Sequence, residues 1–349
     1  MGDEELRKVF EGKNILVTGG AGSIGSELVK HLLKYDPAVI RVLDTNETGL
    51  FDLEQQCRGH EHKLRMLVGD VRDKARLVRA MENIDYVFHA AALKHVYLNE
   101  YTPSEAIKTN VVGTENMIDA AIENNVKKMI TISTDKAVNP TSVMGTTKLL
   151  AEKITSAAEY HRGSSQTVFA SVRFGNVLVS RGSVVPLFLE QIRRGGPVTV
   201  TDTRMTRFIM STNRAIELIL KASSIAKGGE IFILKMPSVK INDLAEVLIE
   251  THAPKHGHSL ENVKIELIGA KAGEKIHESL LTDYERYYAK LVDNDLIVLE
   301  PMIRAHRGLE RYKNEDVDKS EITKGGFNNT SEEKVLTKEE IKKLLDGVL

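Results

Sequence analysis

Asn14-Ile15-Leu16-Val17-Thr18-Gly19-Gly20-Ala21-Gly22-Ser23-Ile24-Gly25-Ser26 is the stretch that decides how this chain folds. Asn14–Val17 reads as a short buried strand, and an amphipathic helix is expected from Ser23 to Lys34. Between them Gly19, Gly22 and Gly25 recur at G-x-x-G-x-x-G spacing. Glycine permits a tight turn and lets backbone N–H groups approach an anion, which then lies at the positive end of the helix. Glycine turns also cap helices for purely structural reasons, so the flanks carry the argument. The next apolar run, Val39–Leu43, is closed by Asp44, 19 residues beyond Gly25. A carboxylate about 20 residues after the glycines is what a dinucleotide ribose requires.

Working outward, helical and strand patterns alternate. Gly49–Arg58 is predicted helical, Leu64–Val68 a strand, Lys74–Met81 a helix and Tyr86–His89 a strand. A long helical pattern, Ser104–Asn124, precedes the strand Met129–Ser133, and the helix Gly145–His161 precedes the strand Val168–Val172. Short β-branched runs between helices are what strands covered on both faces need. The fold class is therefore α/β, a Rossmann-type doubly wound parallel sheet. After Phe174 the rhythm breaks at Gly175, Gly182, Pro186, Gly195, Gly196 and Pro197. Helices are expected at Asn213–Ala226 and Ile241–Thr251, with strands near Ile231–Leu234 and Val263–Ile268. We expect residues 1–174 to form the dinucleotide-binding domain, to which later segments can return. Residues 175–349 then supply a smaller C-terminal α/β substrate-binding lobe and a charged tail from Asn314, ending in a helix Thr337–Leu345.

Composition narrows the field. With 48 Lys+Arg against 49 Asp+Glu there is no basic field to attract nucleic acid, so a partner must be recognised at a local site. The single cysteine, Cys57, excludes an internal disulfide framework and a CxxC metal site, and no metal is expected. Met1–Phe10 lacks the apolar core of a signal segment, and no run approaches the roughly 20 apolar residues that span a bilayer. The expectation is a cytoplasmic protein without membrane insertion.

A second group of residues carries the chemistry. Ala90-Ala91-Ala92 ends the fourth strand, where small side chains let backbone pass close beneath a ligand. Lys94 and His95 follow it; Thr134, Asp135 and Lys136 follow the fifth strand. Open α/β sheets gather ligands at these strand ends. Met144 and Lys148 lie four residues apart, on one helix face. A carboxyl shielded from water would have a raised pKa and act as an acid; a lysine desolvated near other cations would have a lowered one and act as a base. Asp44 would repel a 2′-phosphate, which favours NAD over NADP. Asp70 reads equally as an adenine contact or as a cap for the helix that follows.

With these residues in view, the chain resembles the extended short-chain dehydrogenases/reductases. More narrowly it resembles the nucleotide-sugar 4,6-dehydratases of capsule and protein-glycan biosynthesis that act on UDP-N-acetylglucosamine. The matching pieces include Thr18–Gly25, Asp70–Asp73, His89–Val96, Lys108–Asn116, Ser133–Pro140, Met144-Gly145, Arg173–Val177, Ser180–Pro186, Asp202–Met210 and Gly273-Glu274-Lys275. In that pattern a tyrosine normally precedes the lysine by four residues; here the position is Met144, and a thioether neither gives nor takes a proton.

The resemblance implies hydride removal from sugar C4, loss of water across C5–C6 and hydride return to C6. Lys136 would take the C5 proton, Asp135 would protonate the leaving hydroxyl, Thr134 would bond the C4 oxygen, and Lys148 would grip the nicotinamide ribose. The cofactor set it implies is Gly19, Gly22, Ser23, Ile24, Gly25, Asp44, Asn46, Asp70, Val71, Ala90, Ala91, Ala92, Lys94, Asn110 and Lys148. The substrate set is Lys94, His95, Asn176, Val177, Ser183, Val184, Pro186, Arg207 and Glu274. Guanidinium binds phosphate in bidentate fashion, so Arg181 and Arg207 are the diphosphate candidates. The stretch Asp44-Thr45-Asn46-Glu47 leans towards a C5-retaining enzyme. A UDP-sugar C4 epimerase and a non-catalytic NAD(P)-binding regulator are the alternatives. Assembly into a homo-oligomer through Ser104–Asn124 and Gly145–His161 is also expected.

Overall fold

The computed structural model describes residues 2–301, 329–330 and 335–349. Six parallel strands open the chain: β1 (Asn14–Thr18), β2 (Val39–Asp44), β3 (Leu64–Val68), β4 (Tyr86–His89), β5 (Lys128–Ile132) and β6 (Val168–Arg173). Their order in space, β3-β2-β1-β4-β5-β6, reverses direction between β1 and β4. That reversal leaves a crevice at the carboxyl ends of the strands. β1 is buried at Ile15, Leu16 and Val17 because helices cover both faces of the sheet, so its apolar run needs no alternation.

Beyond Arg173 the chain leaves the sheet. It forms β7 (Asn176–Val177), β8 (Val198–Val200) and β9 (Thr206–Met210), then returns as β10 (Ile231–Leu234), parallel to β6. β11 (Ser238–Lys240) completes a three-stranded sheet with β9 and β7, and β12 (Ile265–Leu267) pairs with β8. β13 (Ala289–Asp293) and β14 (Leu296–Leu299) extend the large sheet to nine strands by antiparallel pairing at the β10 edge. Three strands after residue 175 thus belong to the large sheet. The small sheets form their own apolar cluster with the helices Val184–Arg193 and Ile241–His252 and the C-terminal helix Lys338–Asp346. Of the charged tail, 314–328 and 331–334 lie outside the described residues.

The long helix expected over Ser104–Asn124 is a helix Pro103–Ala106, a π-helical stretch Ile107–Val112 and a helix Gly113–Glu123. Such widened turns gather at functional sites. This one seats the Asn110 side chain against the loop after β4, where it bonds both backbone groups of Leu93. The sequence reading passed over the helix Asp3–Phe10, which buries Leu6 and Phe10 and sets the Phe10 ring 5.4 Å from that of Tyr86.

One polar knot ties β6 to segments far apart in the chain. Arg173, at the end of β6, is fully buried. It forms paired hydrogen bonds with Glu152 of the helix Val143–His161 and with Glu285, and donates to the Leu280 carbonyl. Removing one partner of such a cluster strands uncompensated charge in the interior. Arg173→Met should cost about 3–5 kcal/mol of unfolding free energy. Urea denaturation of the two proteins checks this; an unchanged midpoint would contradict it.

Candidate active site

A cleft of about 900 Å³ runs along the carboxyl ends of β1 to β6, from Asp44 at one end to Asn176 and Val184 at the other. At its floor the glycine loop packs backbone to backbone. A Cβ on Gly19, which has φ +66°, would lie 2.6 Å from the Ala91 nitrogen, and one on Gly25 would lie 2.2 Å from the Gly19 oxygen. Gly22 precedes the helix Ser23–Leu33 with no side-chain cap, so the leading N–H groups of that helix remain available to an anion. Asp44 closes β2 and accepts from the backbone nitrogens of Ala21 and Asn46, both at 2.9 Å, which fixes its carboxylate at the rim.

Several expected cofactor residues sit in this half of the cleft: Ser23, Ile24, Asp70, Val71 and Ala90-Ala91-Ala92 line it. Asp70 is gripped by Arg72, whose guanidinium and backbone N–H hold its pKa below the usual carboxylate value against the pull of burial. The cap of the next helix is Asp73 instead, accepting from Arg76. Asn46 caps the helix Glu47–Gln56 through the Gly49 N–H and is absent from the cleft wall. Asn110 is also withdrawn: it is buried, and its amide is committed to Leu93 and the Thr147 hydroxyl. Asn110 thus braces the cleft from behind, while Asn46 stays exposed with its Oδ1 engaged at the helix start.

A loop crosses the cleft above the glycine turn. The Arg181 N–H donates to Ser23 Oγ, its guanidinium reaches the Ala21 carbonyl, and Lys94 Nζ donates to the Arg181 carbonyl at 2.7 Å. Desolvation, then the neighbouring Arg181 charge, lowers the Lys94 pKa. Val179 in this loop has φ +60°, a left-handed conformation that costs a β-branched residue about 1–3 kcal/mol. His95 packs its ring against Gly182, where a Cβ would come within 2.8 Å.

The reactive wall is built where β5 ends. Thr134 caps a single 3-10 turn, Asp135–Ala137, and its hydroxyl donates to Asp135 Oδ1 at 2.9 Å. Lys136 Nζ donates to the same oxygen at 2.8 Å and to Asn176 Oδ1 at 3.0 Å. Thr134, Lys136, Met144 and Lys148 line the cleft. Asp135 does not. It is wholly enclosed, its second oxygen has no hydrogen-bond partner among the described residues, and Gly175 leaves room for it. Any proton moving between Asp135 and the cleft therefore passes through Thr134 or Lys136.

Lys136 departs from the expectation of a depressed amine. Burial pulls its pKa down, but the charges of Asp135 and Glu278 outweigh that and raise it, so the amine is held as ammonium. Lys148 behaves otherwise. Buried with one hydrogen bond to the Ile132 carbonyl at 2.6 Å, it is lowered to about 8 by desolvation, which Glu152 only partly offsets.

Of the expected substrate residues, Asn176, Val177, Ser183, Val184 and Glu274 line the cleft, and Pro186 does not. Ser183 Oγ stands before the helix Val184–Arg193 with no partner among the described residues. Arg207 is turned away from the cleft: its guanidinium donates to the carbonyls of Thr206, Lys275 and Ile276 and braces β9 against that segment. The backbone carbonyls won it before any phosphate could. Two residues were missed in the sequence. Ser133, at the end of β5, lines the cleft with an unpartnered Oγ, and its strand-end position was the available signal. Glu278 stands behind Lys136, brought there only by the fold.

Among the described residues no cluster of three His, Cys, Asp or Glu could hold a metal, and no helix is long and apolar enough to cross a membrane.

The sequence pattern of a family described as polysaccharide biosynthesis protein matches residues 15–300. An uncharacterized membrane protein of Methanocaldococcus jannaschii is 53% identical over 345 residues, 99% of this chain and 98% of its own length. A UDP-N-acetylglucosamine 4,6-dehydratase (inverting) of Campylobacter jejuni is 44% identical over 302 residues, covering 82% of this chain and 86% of that protein. A UDP-glucose 4-epimerase of Rickettsia akari is 38% identical, covering 97% and 96%. Among solved structures, Pen from Bacillus thuringiensis superposes with a TM-score of 0.88 at 43% identity, over 97% of this chain and 99% of that one. A dTDP-glucose 4,6-dehydratase of Streptomyces venezuelae with NAD bound shares the fold at 24% identity and a TM-score of 0.66, over 75% and 86%.

The depressed Lys148 amine makes a prediction about pH. Its folded pKa lies below that of an unfolded lysine, so between about 8 and about 10.4 the unfolded chain binds more protons. Stability from this group is therefore missing below pH 8 and recovered as pH rises through that window. Relative to Lys148→Met, the wild-type protein should gain unfolding free energy from pH 8 to pH 10, measured by urea titration. A difference that does not change with pH would contradict the assignment.

Proposed function

The chain belongs to the polysaccharide biosynthesis protein family, and on that premise we propose that it is a UDP-N-acetylglucosamine 4,6-dehydratase working with bound NAD. The observation that carries the reading is the wall of Thr134, Lys136, Met144 and Lys148. It offers an amine and a hydroxyl joined to one buried carboxylate, and none of the residues lining the cleft is a tyrosine. The name of the Campylobacter relative supports the substrate class.

The residues fit a dinucleotide. An uncapped helix end faces the pyrophosphate position, Ala90 to Ala92 leave backbone-sized clearance, and Asp44 stands where ribose hydroxyls would meet it. Arg72, the cation near that end, is already neutralised by Asp70 and Glu105, which favours NAD over NADP. When bound, the nicotinamide supplies an acceptor for the C4 hydride and returns it to C6.

The protein's own part is the movement of protons. Thr134 Oγ1 takes the C4 hydroxyl proton as its own passes to Asp135 Oδ1. The C4 ketone acidifies C5–H, and a neutral Lys136 Nζ accepts that proton. The proton on Asp135 returns through Thr134 to the C6 oxygen, and water leaves. Lys136 then gives its proton back to C5. Every proton is accounted for without solvent, and a hydroxyl next to a buried carboxylate does the work of the missing phenol.

Return of the C5 proton from the single amine that removed it amounts to retention, in line with the acidic end of β2. The Campylobacter relative, named as inverting, is the counter-argument. The second reading is a UDP-sugar C4 epimerase, favoured by the Rickettsia relative's name. It would share the Thr134–Asp135 relay for the C4 proton, but it needs neither the Lys136 base at C5 nor an acid at C6.

Incubation with UDP-N-acetylglucosamine and NAD in deuterated water, followed by mass and proton NMR analysis, decides these points. The expected product has lost one water, carries deuterium at C5 in part, because the Lys136 amine exchanges its hydrogens with solvent and can deliver any of the three, and shows its C5 configuration in the ring couplings. An unchanged mass with inversion at C4 would give the epimerase instead. Lys136→Ala and Asp135→Asn should each lower turnover about 10²–10⁴-fold, as loss of a proton-transfer group does, with NAD affinity nearly unchanged by calorimetry.

A further inference from the structure

Glu278 has no place in that proton circuit, yet it is built into its rear wall. It is 2% exposed, and Oε2 accepts no hydrogen bond from any described residue. Its Oε1 lies 3.9 Å from Lys136 Nζ and 4.0 Å from Arg207 Nε, while Oε2 lies 3.5 Å from Lys275 Nζ. Its backbone is pinned on both sides by Thr330, through Glu278 N–H to Thr330 Oγ1 and Thr330 N–H to the Glu278 carbonyl. The charged groups facing it are Lys136 and Asp135 from the turn after β5, Arg207 from β9 and Lys275 from its own segment; His277, beside it in sequence, is turned to Thr206.

The circuit under "Proposed function", on which this inference rests, needs Lys136 neutral and Asp135 ionised at its start. The structure holds Lys136 as ammonium against Asp135. One proton is in excess on the amine, which lines the cleft and has to shed that proton before it can act as a base.

We propose that Glu278 is the positioning residue that stores this proton: the Lys136 ammonium N–H bond breaks as an O–H bond forms on Glu278 Oε1, leaving a neutral amine beside a neutral acid. The exchange moves one proton inside the pair, with no change in total charge and no co-reactant. The amine then takes and returns the C5 proton as described, and the stored proton goes back to Lys136 when product leaves. Oε1 moves about 1 Å nearer to reach hydrogen-bond distance, which the absence of hydrogen bonds on the carboxylate allows. Burial raises the Glu278 pKa ahead of the opposing pull of the cations, which lessens the cost of placing the proton there. Two groups this close titrate as one unit.

The consequence is a pH profile that a merely structural residue would not alter. In the wild-type protein the active and resting forms of the pair hold the same number of protons, so kcat should be flat between pH 6.5 and 8.5. In Glu278→Gln the proton must go to solvent, and kcat should rise about tenfold per pH unit over part of that range. Glu278→Asp, which keeps the acid, should restore the flat profile at lower kcat. As a readout besides the pH profile, the infrared carbonyl band of a protonated buried acid should appear in the wild-type protein when NAD and UDP-N-acetylglucosamine are added and fade as product leaves, and Glu278→Gln should not show it. A flat profile in Glu278→Gln overturns the proposal, as does an unchanged infrared band. If the wild type dehydrates the sugar nucleotide and Glu278→Gln stays flat, only this inference falls. If the wild type removes no water, the dehydratase reading falls first and takes this one with it.

Discussion

Arg173 holds the end of β6, the helix beside it and the segment leading into β13 in one geometry. Its guanidinium ends β6, spans Glu152 on the helix that carries Met144 and Lys148, and reaches Glu285 in the segment that leads into β13. The two residues that follow it are Phe174 and Gly175, both in the cleft wall. Gly175 is where the enclosed Asp135 oxygen finds its space. A planar group with five fixed donors can satisfy two carboxylates and a carbonyl at once, which a lysine cannot. Hydrogen-bond geometry at Arg173 thus adds to the continuous apolar cluster that joins β6, Phe208, Leu280 and β14.

Within that frame the cleft separates charge by depth. Exposed pairs such as Arg72–Glu105 lie at the rim, where water screens them. Deeper in, Lys136 and Glu278 lie among Asp135, Arg207 and Lys275, and the pKa of each of the two is raised there. The low dielectric there strengthens each interaction and makes an unpaired charge expensive. Lys148 stands apart, with a carbonyl for its partner and Glu152 as the opposing charge, and so burial depresses its amine while that of Lys136 is raised.

Much of this was legible in the residues. The glycine loop, Asp44 and the strand-helix alternation fixed the parallel sheet and the location of its crevice, because spacing along one strand-turn-helix unit survives folding unchanged. Thr134, Lys136, Met144 and Lys148 were found from strand ends and a four-residue helix interval, and they share one wall. Asn46, Asn110 and Arg207 carried the right chemistry in the right motifs. Their polar groups were taken by nearby backbone, and no reading of residue type shows which acceptor wins.

Sequence alone determined the class of the fold, the kind of ligand its turn accepts and the residue types at the strand ends, since each depends on contacts a few positions apart. Only the tertiary structure decided that Asp135 lies behind the wall and that Lys136 stays charged. It alone brought Glu278, more than a hundred residues away in the chain, to within 3.9 Å of that amine. Protonation depends on burial and on charges from distant segments, and those are fixed only when the lobes meet.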